Sequence, residues 1–268
     1  MEILLINNNS IYLVLDRTLF FPEEGGQTAD GGFLGLADSK AEVAGQTADG
    51  QLLPVWEVTD VQIQDGLIWH RIRMNGEQAE GFPRPGMTVW GRIDWNLRFS
   101  NMQNHTGEHI ISGLIHAKYG YDNVGFHLSR NIVTLDQSGP LTADQILEIE
   151  WLANQAVWDN LPVTARYYPP DQAKKMTYRS KIEIDGDVRL VTIGSRAAGM
   201  VDVCACCAPH VANTGQIGLI KIIKSEKYKG GTRLTILCGS RALTEVQKRQ
   251  KQVEEISHRL KAPRDGVK

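Results

Sequence analysis

The chain has 268 residues, 42% of them hydrophobic, and a formal net charge of -2, enough chain for one large core or two smaller ones and too little positive charge for a uniformly basic surface. No apolar run reaches the ~18 residues of a membrane span. The opening MEILLINNNS lacks the basic region and small-residue cleavage site of a secretory signal, so a cytoplasmic protein with no membrane segment is expected.

In chain order, the first ninety-odd residues read as short strands, IYLVL (11–15), LLPVWEV (52–58), LIWHRIRM (67–74) and VWGRID (89–94), separated by Gly, Asp and Pro. This predicts an all-β module, a small antiparallel barrel over residues 1–95. Gly81, Pro83, Pro85 and Gly86 form a turn before its last strand. A helix is then expected from Ser100 as N-cap to Gly120 as C-terminal stop, with Ile110, Ile111, Leu114 and Ile115 on its apolar stripe. A strand at 131–136 precedes a second amphipathic helix, LTADQILEIEWLANQAVW (141–158), capped by Thr142. Strands are expected again at PVTARYY, KIEI, VRLVTIG, IGLIKIIK and TRLTILC. Residues 96–240 thus read as an α+β domain with an antiparallel sheet. Residues 241–268 read as a C-terminal helical segment whose Leu243, Val246, Val253, Ile256 and Leu260 follow heptad-like spacing, a route to oligomers or the opening of a missing further domain.

Charge is unevenly placed. Residues 1–100 carry 14 Asp and Glu against 7 Lys and Arg, a net of -7; residues 217–251 carry 9 Lys and Arg against 2 Glu, a net of +7. KIIKSEKYKGGTR is either a solvated hairpin or a surface for a polyanion.

Four cysteines, three of them in CACC at 204–207, do not make a disulfide framework, and in a reducing compartment such clusters bind metal. His105 and His109 are four apart in the predicted helix, so both imidazoles leave the same face. Cys206 and His210 repeat that offset on a distant segment, and thiolate plus imidazole is a donor set that favours Zn²⁺. His116 shares the helical face but stands ~10 Å from His109 along the axis, too far to share an ion. Glu108 precedes the second His instead of following the first as in HExxH, and its direction around the helix argues against the base role of that motif. A structural site built from CACC and one His, or a thiol redox sensor, are the competing readings of the cysteines.

HTGEH together with CCAPHVANTGQIGLIKI resembles the editing domain of alanyl-tRNA synthetase and its free-standing AlaX-type relatives, the alanyl-tRNA editing proteins. FFPEEGGQTADGG (20–32) resembles the Gly-rich loop of the barrel that precedes this domain, and GGTRLTILCGSRAL the strand and turn that close it. The resemblance implies HxxxH and CxxxH metal motifs at His105, His109, Cys206 and His210, bound zinc, and hydrolysis in trans, without ATP, of serine or glycine from mischarged tRNA for alanine. Gln27 and Gly26 of the GGQ loop are the implied substrate contacts, and Cys207, next to Cys206, is a further candidate for the pocket. Synthetase editing domains commonly carry CGGTH where this chain has Cys206 to His210, and Pro209 resembles the threonyl type. Editing of Ser-tRNA for threonine, and a non-catalytic tRNA-binding module with structural zinc, are the alternatives. Four protein ligands would close a tetrahedron, leaving open where water enters.

Overall fold

The computed structural model describes residues 2–6, 10–37, 55–74, 83–195, 197 and 199–263. They fall in two compact units, Met1–Phe99 and Ser100–Lys268. Positions 52–54 of the expected strand LLPVWEV, and Gly81 of the expected turn, lie outside the described residues.

The first unit holds one antiparallel sheet. Its strands are β1 (Glu2–Ile6), β2 (Ser10–Val14), β3 (Gly32–Leu36), β4 (Val55–Gln64), β5 (Leu67–Met74) and β6 (Val89–Ile93), in the order β1-β2-β5-β4-β3-β6. The module expected as a small barrel is a sheet with no pairing between its outer strands β1 and β6 among the described residues. Period-2 patterning sends Ile11, Leu13, Leu34, Trp56, Val58 and Ile72 inward with Phe20. A register shift between Val58 and Asp60 changes the inward parity of β4, so that Val61 joins them. In the Gly-rich loop, Gly25 and Gly26 have φ of 61° and 83°, the paired positive values a tight two-residue hairpin turn requires, and Glu24 and Gln27 bond across it. Asp30 then accepts from Phe21 N at 2.8 Å and pairs with Arg98.

Helix α1 (Trp95–Tyr119) begins five residues before the expected Ser100. Asp94 Oδ1 accepts from Leu97 N at 3.1 Å and so does the capping, while Ser100 lies inside the helix and accepts from Arg241. Gly120 ends it, as expected. The second unit continues with β7 (Asn123–Leu128), β8 (Val133–Gln137), α2 (Ala143–Trp158), β9 (Val163–Tyr168), the short α3 (Pro170–Ala173), β10 (Val188–Ser195), β11 (Gly199–Ala205), β12 (Ile220–Tyr228), β13 (Gly231–Cys238) and α4 (Ser240–Leu260). Thr142 caps α2 in a reciprocal capping box with Gln145, an arrangement worth about 1 kcal/mol. KIEI is not a strand; residues 181–184 form a bend and irregular chain with exposed side chains. Ile217 of IGLIKIIK ends a 3₁₀ turn, Thr214–Ile217, and the strand begins at Ile220. β7 and β11 were not expected.

Two antiparallel sheets result, β11-β10-β9 and β12-β13-β8-β7. Helix α1 packs on both, burying Ile110, Ile111 and Ile115. Its glycines set the approach: a Cβ at Gly107 would stand 2.3 Å from Cys238 Sγ of β13, and one at Gly113 would stand 2.5 Å from the Val201 carbonyl of β11. Arg241 fastens the start of α4 to Ser100, Asn101 and the Ser129 carbonyl. Beyond Ala242 the heptad-spaced Leu243, Val246, Val253, Ile256 and Leu260 are all exposed. No described helix is long and apolar enough to cross a membrane. The α+β class with a C-terminal helix matches the expectation.

Candidate metal centre

Helix α1 and the loop leaving β11 each contribute two donors. His105 and His109 lie one turn apart and are both 2% exposed, with ring centroids 5.3 Å apart. Cys206 Sγ lies 3.6 Å from His105 Nε2 and 3.4 Å from His210 Nε2, and the His109 and His210 rings are 4.7 Å apart. One donor atom from each of the four falls within 4.8 Å of the other three, so these residues could hold one metal ion. A second group, His109 with Asp202 and Cys204 of β11, shares His109. Cys207 is exposed and belongs to neither group. Gln27 is buried in the first unit, beside Gly26 in the hairpin turn.

Neighbouring groups decide which ring nitrogens face the centre. His109 Nδ1 donates to Asp202 Oδ2 at 3.0 Å, and Arg179 holds that carboxylate through two bonds of 2.8 and 2.9 Å. Thr106 spends its only hydroxyl hydrogen on the Met102 carbonyl at 2.8 Å, so it accepts from His210 Nδ1 at 3.0 Å. Both imidazoles thereby turn Nε2 toward the centre. Arg189 of β10 donates to the carbonyls of Cys206 and Ala208 at 2.6 and 3.0 Å, fixing the ligand loop.

The electrostatics suit a cation. Burial would push the Cys206 thiol up, but the charge of His105 and hydrogen bonds with the three histidines hold it well below the usual range, toward thiolate. Burial takes His210 down to about 4, keeping it neutral. For His109 burial is outweighed by the Asp202 hydrogen bond and by Cys206 and Glu108, which raise it well above its ordinary value. Burial would raise Asp202, yet His109 and Arg179 keep it ionised. Cys204, by contrast, is pushed up by burial and stays a thiol.

Glu108 departs from its sequence reading. It is 3% exposed, and its Oε2 lies 3.9 Å from His109 Nε2, so its carboxylate does flank the centre. Ser112 donates to its Oε1 at 2.6 Å and Asn123 of β7 donates to the same atom. Burial opposes its charge, but His109, Lys181 and Arg179 hold its carboxyl below the ordinary range. Spacing could not reveal it, because the helix turns Glu108 toward β7, a strand the sequence did not announce. Asp202, Arg179, Thr106 and Arg189 were likewise missed: each acts through another residue and follows no periodicity.

Asp202→Asn, which removes the charge that orients His109, should weaken metal binding by about 10- to 100-fold. Competition against a chelator measures this, and an unchanged affinity would show that β11 does not support the ligand.

A family model described as the threonyl and alanyl tRNA synthetase second additional domain matches residues 188–235. The alanyl-tRNA editing protein AlaX-L of Pyrococcus horikoshii is 30% identical over 239 residues, 88% of this chain and 53% of its own length. The alanyl-tRNA editing protein Aarsd1 of Mus musculus is 31% identical over 245 residues, 88% of this chain and 51% of its own. An alanine–tRNA ligase of Methanothrix thermoacetophila is 32% identical over 260 residues, 94% of this chain and 26% of its own. The chain thus spans about half the length of these editing proteins and about a quarter of the ligase. The resemblance to alanyl-tRNA editing proteins read from the motifs holds across most of the chain.

Proposed function

We propose that this chain is a cytoplasmic, zinc-dependent deacylase that hydrolyses the ester joining a wrong amino acid, serine first and glycine second, to tRNA for alanine. The observation that carries the reading is the convergence of His105, His109, Cys206 and His210, with the Glu108 carboxylate alongside, in a chain similar to alanyl-tRNA editing proteins over 88% of its length. The donor set fits zinc. With bonds of about 2.3 Å to sulfur and 2.0–2.1 Å to nitrogen, tetrahedral donors stand about 3.5 Å apart; the two sulfur–nitrogen separations are 3.6 and 3.4 Å.

When bound, zinc supplies an electrophile for the ester carbonyl and lowers the pKa of a coordinated water to about 7. The chain's own residues do the rest. Asp202 and Thr106 keep the His109 and His210 rings turned so that Nε2 faces the centre. Glu108 Oε2 has no hydrogen bond of its own to a described residue, in contrast to Oε1, and stands where it can accept a proton from the attacking water and return it to the leaving ribose oxygen. Cys206, which lies against His105 and His210 and could otherwise be taken for a Cys–His nucleophile, sits within the donor cluster itself.

Selectivity for serine over alanine calls for groups that hydrogen-bond the extra hydroxyl, since a small pocket cannot reject either by size. Gln27 and Gly26 are assigned to substrate contact on the resemblance, and Cys207 on its place beside Cys206. The threonyl alternative keeps one observation in its favour, Pro209 before His210.

The test is release of amino acid from Ser-, Gly- and Ala-tRNA for alanine beside Ser-tRNA for threonine. We expect fast release of serine from the alanine tRNA and none of alanine. Binding of tRNA without release of any amino acid would replace the enzyme with a binding module, and preference for the threonine tRNA would move its identity.

A further inference from the structure

The segment that joins α3 to β10 crosses beside the centre. Arg179 forms a one-residue parallel bridge to Cys204: its N–H donates to the Val203 carbonyl at 2.8 Å and its carbonyl accepts from Ala205 N at 2.9 Å. Its guanidinium, clamped on Asp202, anchors the chain at the same point. At the next residue, Ser180 Oγ donates to the Ile182 carbonyl at 2.6 Å across a bend that contains Lys181. The exposed Lys181 reaches the ring of Phe126, with Nζ 5.3 Å from its centroid, and the His105 ring lies 4.7 Å from the same ring. An ammonium is thus held one aromatic ring away from a candidate metal ligand.

This cation differs in use from its neighbours. Arg179 is spent on Asp202, Lys118 on Glu148, Lys221 on Glu150, Lys224 on Glu226 and Arg233 on Asp136. Lys181 makes no salt bridge with a described residue, although its charge is felt by the buried Glu108. An exposed ammonium with no carboxylate partner, placed beside a centre that receives an ester, suits an anionic group on the same substrate. At the end of a polynucleotide, the nearest such group to an ester on the terminal ribose is the phosphodiester on the 5′ side of that nucleotide. In the basic hairpin β12–β13, Lys224 and Arg233 are already paired with carboxylates.

We propose that Lys181 is a substrate-positioning residue that binds the 5′ phosphate of the terminal nucleotide and so sets the ester over the centre. This rests on the deacylase reading above, and its test is built to fail separately from it. Hydrolysis of two small ribose esters is compared, 3′-O-seryl-adenosine, which lacks that phosphate, and 3′-O-seryl-AMP, with serine on the ribose and a free phosphate on the 5′ oxygen. Lys181→Ala should raise KM for seryl-AMP by about tenfold more than for seryl-adenosine, while Lys181→Arg should restore most of that difference. In parallel, binding of an uncharged RNA ending in CCA, read by fluorescence anisotropy, should weaken by a similar factor, and the slope of log affinity against log salt should fall by about 0.7. Equal losses on both esters, or unchanged RNA affinity, would overturn the assignment. If the wild-type chain hydrolyses neither ester, the RNA measurement alone decides whether Lys181 holds a phosphate, and the deacylase reading stands or falls on the aminoacyl-tRNA assay above.

Discussion

His109→Ala is expected to remove metal and hydrolysis together, with metal content falling below one-tenth of the wild-type value and deacylation to background. His109 offers Nε2 to the donor cluster and ties it to β11 through the Asp202 bond of 3.0 Å. Its loss does two things. The remaining donors drop to His105, Cys206 and His210, and the buried Asp202–Arg179 pair loses a partner that was 2% exposed. His116→Ala is the matched control, because that imidazole is 47% exposed and pairs with Asp122 on the surface. Metal content by mass spectrometry and serine release should be read on the same preparation. Full activity in a verified metal-free His109→Ala protein would sink the metal mechanism.

Glu108→Gln separates proton transfer from metal binding. The substitution is nearly isosteric, and the amide oxygen can still accept from Ser112 and Asn123, so the packing against β7 should survive. What is lost is the charge on the oxygen 3.9 Å from His109 Nε2. General acid–base groups contribute about 10²- to 10⁴-fold, so kcat should fall by at least ~10²-fold with metal content and KM little changed. A variant that keeps both its metal and its kcat would reduce Glu108 to a counter-charge for His109 and Arg179.

Much of this arrangement could be read in the chain because it rests on local periodicity. The four-residue offsets of His105/His109 and Cys206/His210 express helix geometry and a tight loop, and the structure brings those four together. Helix α2 was legible through Thr142, whose capping box is a sequence-local device. The start of α1 was not, because Trp95 and Phe99 look like the end of an apolar strand while the cap falls to Asp94. KIEI alternates as a strand should, yet alternation without a partner strand leaves only exposed chain. β11 was hidden by its own cysteine: GMVDVCA draws attention to Cys204, whereas the residue that bonds His109 is Asp202. Asp202, Arg179 and Glu108 owe their roles to how closely α1 lies on the sheets, and that spacing is set by the bare backbones of Gly107 and Gly113.

The donors that face one another across the centre, His105 and Cys206, are 101 positions apart in the chain. An ion held between them is therefore a removable cross-link that closes most of α1 to β11 into a single loop, and a cross-link over about 100 residues restricts an unfolded chain by roughly 4–5 kcal/mol in the loop-entropy picture. The same atoms that would activate water would then also act as a staple, and metal supply would govern how long the molecule survives as well as how fast it works.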